Sequence, residues 1–426
     1  MNDNPVPTSA ATSGQRLLSL DALRGFDMFW IVGAAWLVHA LRAMSNNPAV
    51  DFVATQMSHV RWDGFHFLDL IFPLFVFIVG ISTVFSLTKA LETGGRRQAL
   101  KRIISRSVLL YLVGILYYGG FSNHWPNIRL VGVLNMIAFC YLFGGILFCC
   151  LKPRGLAVVT IGLLVGYWAL LTFVPIRNYK FENPDRVIEA RTQAANKPVS
   201  EPEQKLLRDQ LVQQTPKQYF ATTNYVTGKY EEGLNLANHL DFLYLPGRRV
   251  GGFWWDPQGL LSTLPSIATC LLGIFVGLLL QRRDYSDQCK VLSLVGFGLA
   301  GVAFGYLWGL QFPIIKNIWS SSYVLLTAGY SALLMAAFYW LIEVRQWRRW
   351  CQPFVWIGAN PITIYLAVQF VDFRQIAARF IGGDVSRWLN QHFAQGAGDL
   401  AVAILACVFV FIFVRFLYQR KIFLRL

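Results

Sequence analysis

Phe67-Leu68-Asp69-Leu70-Ile71-Phe72-Pro73-Leu74-Phe75-Val76-Phe77-Ile78-Val79-Gly80-Ile81 lies within an apolar run that extends from 66 to 88. A helix needs about 20 apolar residues to cross the hydrocarbon core of a bilayer, so this run is long enough to span, with Asp69 in its first turn. Runs of the same kind lie near 23–41, 103–118, 130–150, 155–175, 259–280, 289–309, 319–342, 352–372 and 398–418. The sequence therefore predicts an all-α polytopic membrane protein with about ten transmembrane helices. Composition agrees. Of the 426 residues 55% are apolar and only 14% charged, against about 25% charged in soluble domains, which excludes a soluble enzyme and intrinsic disorder.

The net charge of +15 reads as topology rather than as affinity for nucleic acid. With the amino terminus placed in the cytoplasm, the short inner segments carry 19 Lys and Arg residues and the short outer ones seven, Arg42, Arg61, Arg129, Lys316, Arg374, Arg379 and Arg387. Positive charge concentrates on the cytoplasmic side of membrane proteins. Both termini are thus expected in the cytoplasm, with residues 1–16 as a cytoplasmic tail, 17–426 as the membrane domain, and the chain seated in a bacterial inner membrane. The lipid bilayer is the expected partner of the basic surface, and no nucleic acid is expected. The seven cysteines lie in apolar runs or at their ends, a distribution that implies neither a disulfide framework nor a zinc site.

The polar segment 176–258 is too long for a connector and is expected as an extracytoplasmic loop. Leu206, Leu207 and Leu211 at helical spacing within Pro202–Gln214 suggest a short amphipathic helix. The aromatic and turn residues of Leu240-Asp241-Phe242-Leu243-Tyr244-Leu245-Pro246-Gly247 and Trp254-Trp255-Asp256-Pro257 suggest a lid returning to the membrane surface.

Three ionisable residues open the first run. Asp21, Arg24 and Asp27 share one helical face, where Arg24 can pair with either carboxylate, or the group can form a helix-end ion pair that snorkels to the interface. Asp27 lies deeper, where a carboxylate is costly and faces a cavity or a partner. All six histidines fall in or beside outer segments. The densest group is Ser58-His59-Val60-Arg61-Trp62-Asp63-Gly64-Phe65-His66-Phe67-Leu68-Asp69, which supplies a general base beside an orienting carboxylate. Interfacial hydrogen bonding is the alternative. A metal reading takes His59, Asp63 and His66 as ligands, but Gly64 weakens a helix there and no fourth ligand follows, so no metal is expected. Further polar islands stand at Arg129, Asp256 with Gln258, Lys316 with Asn317, and Asn360 before Pro361. The Asn360-Pro361 pair interrupts helical bonding within the ninth run.

Several of these stretches, taken in order, carry a resemblance. Ser19-Leu20-Asp21-Ala22-Leu23-Arg24-Gly25, Trp62-Asp63-Gly64, Asp69-Leu70-Ile71-Phe72-Pro73-Leu74-Phe75-Val76-Phe77-Ile78-Val79-Gly80, Asp256-Pro257-Gln258-Gly259-Leu260-Leu261, Lys316-Asn317-Ile318-Trp319-Ser320 and Arg420-Lys421-Ile422-Phe423 together resemble the transmembrane acyltransferases related to lysosomal heparan-α-glucosaminide N-acetyltransferase. The resemblance spans 17–426. It implies transfer of an acetyl group from cytosolic acetyl-CoA, the donor substrate, to an amino sugar or glycan across the membrane. It places the catalytic histidine at His59. The family's Asp-Pro-Glu-Gly is here Asp256-Pro257-Gln258-Gly259.

The expected site therefore has His59 and Asp69 as catalytic residues and Arg24, Arg96, Arg97 and Lys101 meeting the donor's phosphates. Asp63, Arg129, Asp241, Asp256, Lys316 and Asn360 are expected on the acceptor side. His59 can act as general base in a ternary complex or carry the acetyl group itself, and both routes stand open at this point. So do the identity of the acceptor and assembly as a homodimer. A proton-coupled transporter of a small polar solute is the alternative class, given Asp27 and Asp69 within spans, although no internal repeat supports it.

Overall fold

The computed structural model describes residues 17–45, 47–195, 197–250 and 254–423. The expected tail, 1–16, lies outside the described residues. Among those described, seven helices are long and apolar enough to cross a membrane, or eight if the bent pair Leu18–Ala34 and Trp36–Met44 forms one span. The chain is an all-α polytopic membrane protein.

The difference from ten runs has two local causes. The runs at 66–88 and 103–118 fall in one helix, Phe67–Tyr117 (α4), of 51 residues. At 1.5 Å per residue a straight helix of that length would reach about 77 Å, far beyond a hydrocarbon core of about 30 Å. Gly95, at φ +67° and ψ −172°, breaks it into two arms. The ninth run is divided as its sequence predicts, into Gln352–Ala359 (α13) and Pro361–Phe370 (α14), with Asn360 non-helical between them. Neither piece alone is long enough to span.

The remaining long helices are Val133–Cys150 (α5), Pro153–Phe173 (α6), Thr263–Gln281 (α10), Asp287–Gly309 (α11), Ser321–Tyr339 (α12) and Ala397–Gln419 (α17). Lipid supplies little hydrophobic drive for helix association, so close backbone approach through small residues does much of the work. The first arm of α4 lies on α10 in this way, since a Cβ on Gly80 would stand 2.0 Å from the Cys270 carbonyl oxygen and one on Gly273 2.0 Å from that of Phe77. Thr88 Oγ1 extends the same seam to Gln281 Oε1, 3.3 Å away. The second arm runs back along α5, where Asn135 Nδ2 donates to the Tyr111 carbonyl at 3.0 Å and Ile103 packs on Gly145. Leu87 and Ala90 of one arm and Ala99 and Ile103 of the other share a buried cluster with Tyr141 and Cys149.

The polar excursion is a folded cap rather than an open loop. Strands Ile176–Arg177 and Tyr225–Val226 pair antiparallel, and helices Pro184–Ala195 (α7), Glu201–Ala221 (α8) and Leu236–Tyr244 (α9) complete it. The amphipathic helix is longer than its leucine spacing suggests, because Thr215 and Tyr219 bury a second stretch of it beyond Gln214. Phe181, Tyr219, Trp254 and Trp255 form the core of the cap. A second cluster, with Leu234, Leu236, Phe312, Ile315 and Ile318, seats it on the turn before α12.

Candidate active site

Backbone geometry brings the first site residues together. In the Trp62-Asp63-Gly64 turn Gly64 adopts φ +123°, a region that residues with a Cβ rarely occupy. There its N–H donates to the Ile314 carbonyl at 3.0 Å, and Asp63 bridges to Ile315. Trp62 Nε1 meanwhile donates to the Tyr230 carbonyl at 2.7 Å, tying the turn to the cap. Opposite, the segment 315–320 closes on itself. Ser320 N donates to the Ile315 carbonyl at 3.1 Å, Ile315 N to Ser320 Oγ at 3.0 Å, and Trp319 takes φ +53°. That conformation is strained for a bulky residue. It is held by burial of the indole and by its Nε1 donating to Thr269 Oγ1 at 3.1 Å. The two turns locked side by side place Lys316 beside His59.

His59, Asp69 and Lys316 form a triangle. His59 Nδ1 lies 2.8 Å from Asp69 Oδ1, Lys316 Nζ 3.1 Å from the same oxygen, and Lys316 Nζ 2.8 Å from His59 Nδ1. Asp69 Oδ2 accepts from the backbone N–H groups of Val60 at 3.2 Å and His66 at 3.1 Å. Tyr323 on α12 donates its hydroxyl to the Asp69 carbonyl at 2.6 Å. Asp69 is thus a fixed, buried acceptor, with 1% of its side chain exposed, while His59 keeps 57%. The carboxylate orients the exposed imidazole through Nδ1, which leaves Nε2 without a bond to Asp69. Burial pulls the Lys316 ammonium below the usual lysine range, and the Asp69 charge opposes that pull.

His66 meets Asp69 through its backbone and not through its ring. Its imidazole Nδ1 faces the Ser58 carbonyl at 3.0 Å, and its backbone makes the link to Asp69. Among the described residues no group of three His, Cys, Asp or Glu side chains comes together as a metal site.

Arg129, Asp241 and Asp256 form a separate cluster, the clasp that holds the cap down. Arg129 donates to both Asp256 oxygens, at 3.1 and 2.9 Å, and to Gln258 Oε1 at 3.0 Å, with its guanidinium over the Tyr118 ring. Asp241 accepts from the backbone N–H groups of Asp256 at 3.1 Å and Leu260 at 2.9 Å. Burial pushes its carboxyl up to about 7, and the neighbouring Asp256 adds to the rise. Gly259 is required here, since a Cβ would stand 1.9 Å from Asp241 Oδ2. Buried carboxylates fully engaged by protein donors anchor structure first.

The residues expected at the donor are elsewhere again. Arg24 donates to Asp21 Oδ1 at 3.1 Å, to the Gly358 carbonyl at 3.2 Å and to Ser82 Oγ at 2.7 Å, so it staples Leu18–Phe29 (α1 in chain order) to α13 and α4. Arg96 and Arg97 are exposed at the Gly95 break. Lys101 lines an open groove there with Lys89 and Arg102. Asn360 is not brought to the triangle, because its amide donates to the Ile422 carbonyl at 2.9 Å, beyond the end of α17. The contributions of Ser82, Gly358 and Tyr323 had no signal in the sequence beyond residue type, because each is a contact across more than fifty positions.

Residues 16–181 match the family model described as heparan-alpha-glucosaminide N-acetyltransferase, catalytic. This segment contains His59 and Asp69. The chain resembles heparan-α-glucosaminide N-acetyltransferases over most of its length. It is 24% identical to the mouse protein of that name over 419 residues, 86% of this chain and 55% of the relative. It is 25% identical to the human one over 350 residues, 72% of this chain and 48% of the relative. The chain thus spans about half the length of these curated relatives. The family read from the ordered motifs is the family the comparisons find.

Proposed function

We propose that this chain is a membrane-bound acyltransferase that moves an acetyl group from acetyl-CoA in the cytosol to the amino group of an amino sugar or glycan on the opposite side. The observation that carries the reading is the His59–Asp69 pair at 2.8 Å, with the carboxylate buried and the imidazole open. In one route Nε2 takes the proton that the acceptor amine loses as its nitrogen attacks the thioester carbon, while CoA departs with the C–S electron pair. In the other Nε2 itself attacks that carbon and CoA leaves as the thiolate. The acetyl-imidazolium then passes its acetyl group to the amine, the electrons of the broken C–N bond return to Nε2, and that nitrogen takes the amine's proton.

Arg24, Arg96, Arg97 and Lys101 are proposed to meet the anionic part of the donor. Thirteen residues of helix separate Asp69 from Ser82, the partner of Arg24, about 20 Å at the helical rise, which an extended thioester arm would have to cover. Asp63 and the cap residues Arg129, Asp241 and Asp256 are proposed to face or frame the acceptor, with Asn360 supporting the bundle from further away. Cytoplasmic termini and an outward cap complete the arrangement.

The transporter reading rests on Asp27, whose two carboxyl oxygens are buried without a hydrogen-bond partner among the described residues. Purified protein incubated with acetyl-labelled acetyl-CoA and glucosamine, followed by mass spectrometry of the sugar, separates the two. Labelled N-acetyl product from the wild type and none from His59→Ala is the expected result. Absence of product with every amino sugar, together with solute uptake into vesicles, would favour the transporter. A cysteine introduced at Glu201 should be labelled only from outside, and labelling only from the cytoplasm would reverse the proposed orientation.

A further inference from the structure

Lys316 touches His59 in an unusual way. A donor on the Nδ1 lone pair, in the plane of the ring, would stand far from Nε2 on the ring's other side. The ammonium is instead 2.8 Å from Nδ1 and 3.4 Å from Nε2, which places it over the face of the imidazole. The in-plane direction at Nδ1 is then left to Asp69 Oδ1, 2.8 Å away. A cation over a neutral aromatic ring is attracted to it, whereas a cation beside an imidazolium repels it. The same ammonium binds Asp69 at 3.1 Å, so it also weakens the pull that the carboxylate exerts toward imidazolium.

From this geometry we infer that Lys316 is a positioning residue that holds a positive charge over the His59 ring and opposes the pull of Asp69 toward imidazolium, with the Nδ1–H directed at Asp69 and the Nε2 lone pair kept for the reaction. The inference rests on the acyl-transfer reading, and it serves either route, since both need a lone pair on Nε2. It gives Lys316 a role other than contact with the acceptor. The charged and titratable groups around the ring are Asp69 from α4, Lys316 from the turn before α12, and Arg61, Asp63 and His66 from its own segment. Arg61 and Asp63 are exposed, and the His66 ring is turned to the Ser58 carbonyl. Tyr323 on α12 reaches only the Asp69 backbone. Asp69 and Lys316 are therefore the two charges that set the balance, one for and one against the imidazolium.

The test does not depend on turnover. Diethylpyrocarbonate acylates only the unprotonated nitrogen of an imidazole, so the pH at which the His59 peptide becomes modified, read by mass spectrometry on the purified full chain, reports the protonation of that ring. Lys316→Met and the second neutral variant Lys316→Gln are expected to move this midpoint up by about 1 to 3 pH units, the usual size for a charge at such range. Lys316→Arg keeps the charge and should stay near the wild type, while Asp69→Asn should move the midpoint down. In the acetyl-transfer assay the acid limb of kcat/KM should follow the same order. A midpoint equal in the wild type and both neutral variants, or Lys316→Arg behaving like Lys316→Met, overturns the inference. So does a rise in acceptor KM with no movement of the limb. Should the neutral variants not reach the membrane, an unmoved midpoint in Asp69→Asn overturns it equally. If the wild type transfers no acetyl group while the midpoints move as expected, the acyltransferase reading fails and the charge balance stands.

Discussion

His59 Nδ1 and Asp69 Oδ1 stand 2.8 Å apart although the residues lie ten positions apart, across a turn. The carboxylate is fixed by two backbone N–H groups before it meets the ring, so the imidazole is oriented by an acceptor that cannot swing away. His59→Ala is expected to insert normally and to lose about 10² to 10⁴ in rate, the usual loss on removing a general base. Asp69→Asn is expected to lose less, because the amide still accepts one bond and occupies the same volume. Initial rates with labelled acetyl-CoA, on protein shown by size-exclusion chromatography to be intact, check the order. Wild-type turnover in His59→Ala would remove His59 from the mechanism.

Arg24 carries two separable expectations. Its three acceptors belong to three different helices, so Arg24→Ala should lower thermal stability by the about 1 to 3 kcal/mol that stranding buried acceptors costs. As a donor ligand it should also raise the apparent KM for acetyl-CoA. Ser82→Ala removes one acceptor and keeps the guanidinium, and should leave that KM near the wild-type value. A fall in melting temperature in Arg24→Ala with an unchanged KM would leave Arg24 a staple and nothing more.

How far the sequence could be read follows from the range of each interaction. The apolar runs, the break at Asn360-Pro361 and the polar excursion are local patterns, and they reappear as helices, as the gap between α13 and α14 and as the cap. The pairing of His59 with Asp69 was also legible, since both lie in one short segment. The count of spans was less so, because the helix continues from the run at 66–88 through the charged stretch around Gly95 into the run at 103–118. Lys316 was named on the acceptor side, but its place over a ring 257 positions away depends on the Asp63–Ile315 bridge, which has no periodic signature. The same holds for Arg129, whose partner Asp256 is 127 positions on.

That clasp should be mechanically important to the cap. Arg129→Ala leaves Asp256, whose side chain is fully buried, without its cation. Removing one partner of a buried pair costs about 3 to 5 kcal/mol. Limited proteolysis should therefore cut the 176–258 segment faster in Arg129→Ala than in the wild type. Gln258→Ala, which removes one hydrogen bond to the same guanidinium, should fall between them. Equal digestion of Arg129→Ala and wild type would show that the clasp does not hold the cap.

The cap also carries two groups whose titrations oppose each other. Burial pushes the Asp241 carboxyl up to about 7, against about 3.9 in an open chain. Between those values the closed cap holds a proton that the open one releases, so this group's contribution is full at low pH and is lost as pH rises toward 7. Burial pushes the His239 imidazole down to about 4, against about 6.5 when open. Over 4 to 6.5 the open cap binds the extra proton, so this contribution is full above 6.5 and is lost as pH falls. The two slopes have opposite sign and overlap across most of the acidic range, which predicts a wild-type cap whose closure varies little between pH 4 and 6.5. Asp256, also raised by burial, adds to the Asp241 side. Asp241→Asn should unmask the histidine, giving a cap that loosens as pH is lowered from 6.5. His239→Gln should do the reverse and loosen as pH is raised. Amide hydrogen exchange across α9, corrected for the intrinsic pH dependence of exchange, measures both. A steep wild-type slope, or variants that slope in the same direction, would show that these two groups do not govern the closure of the cap.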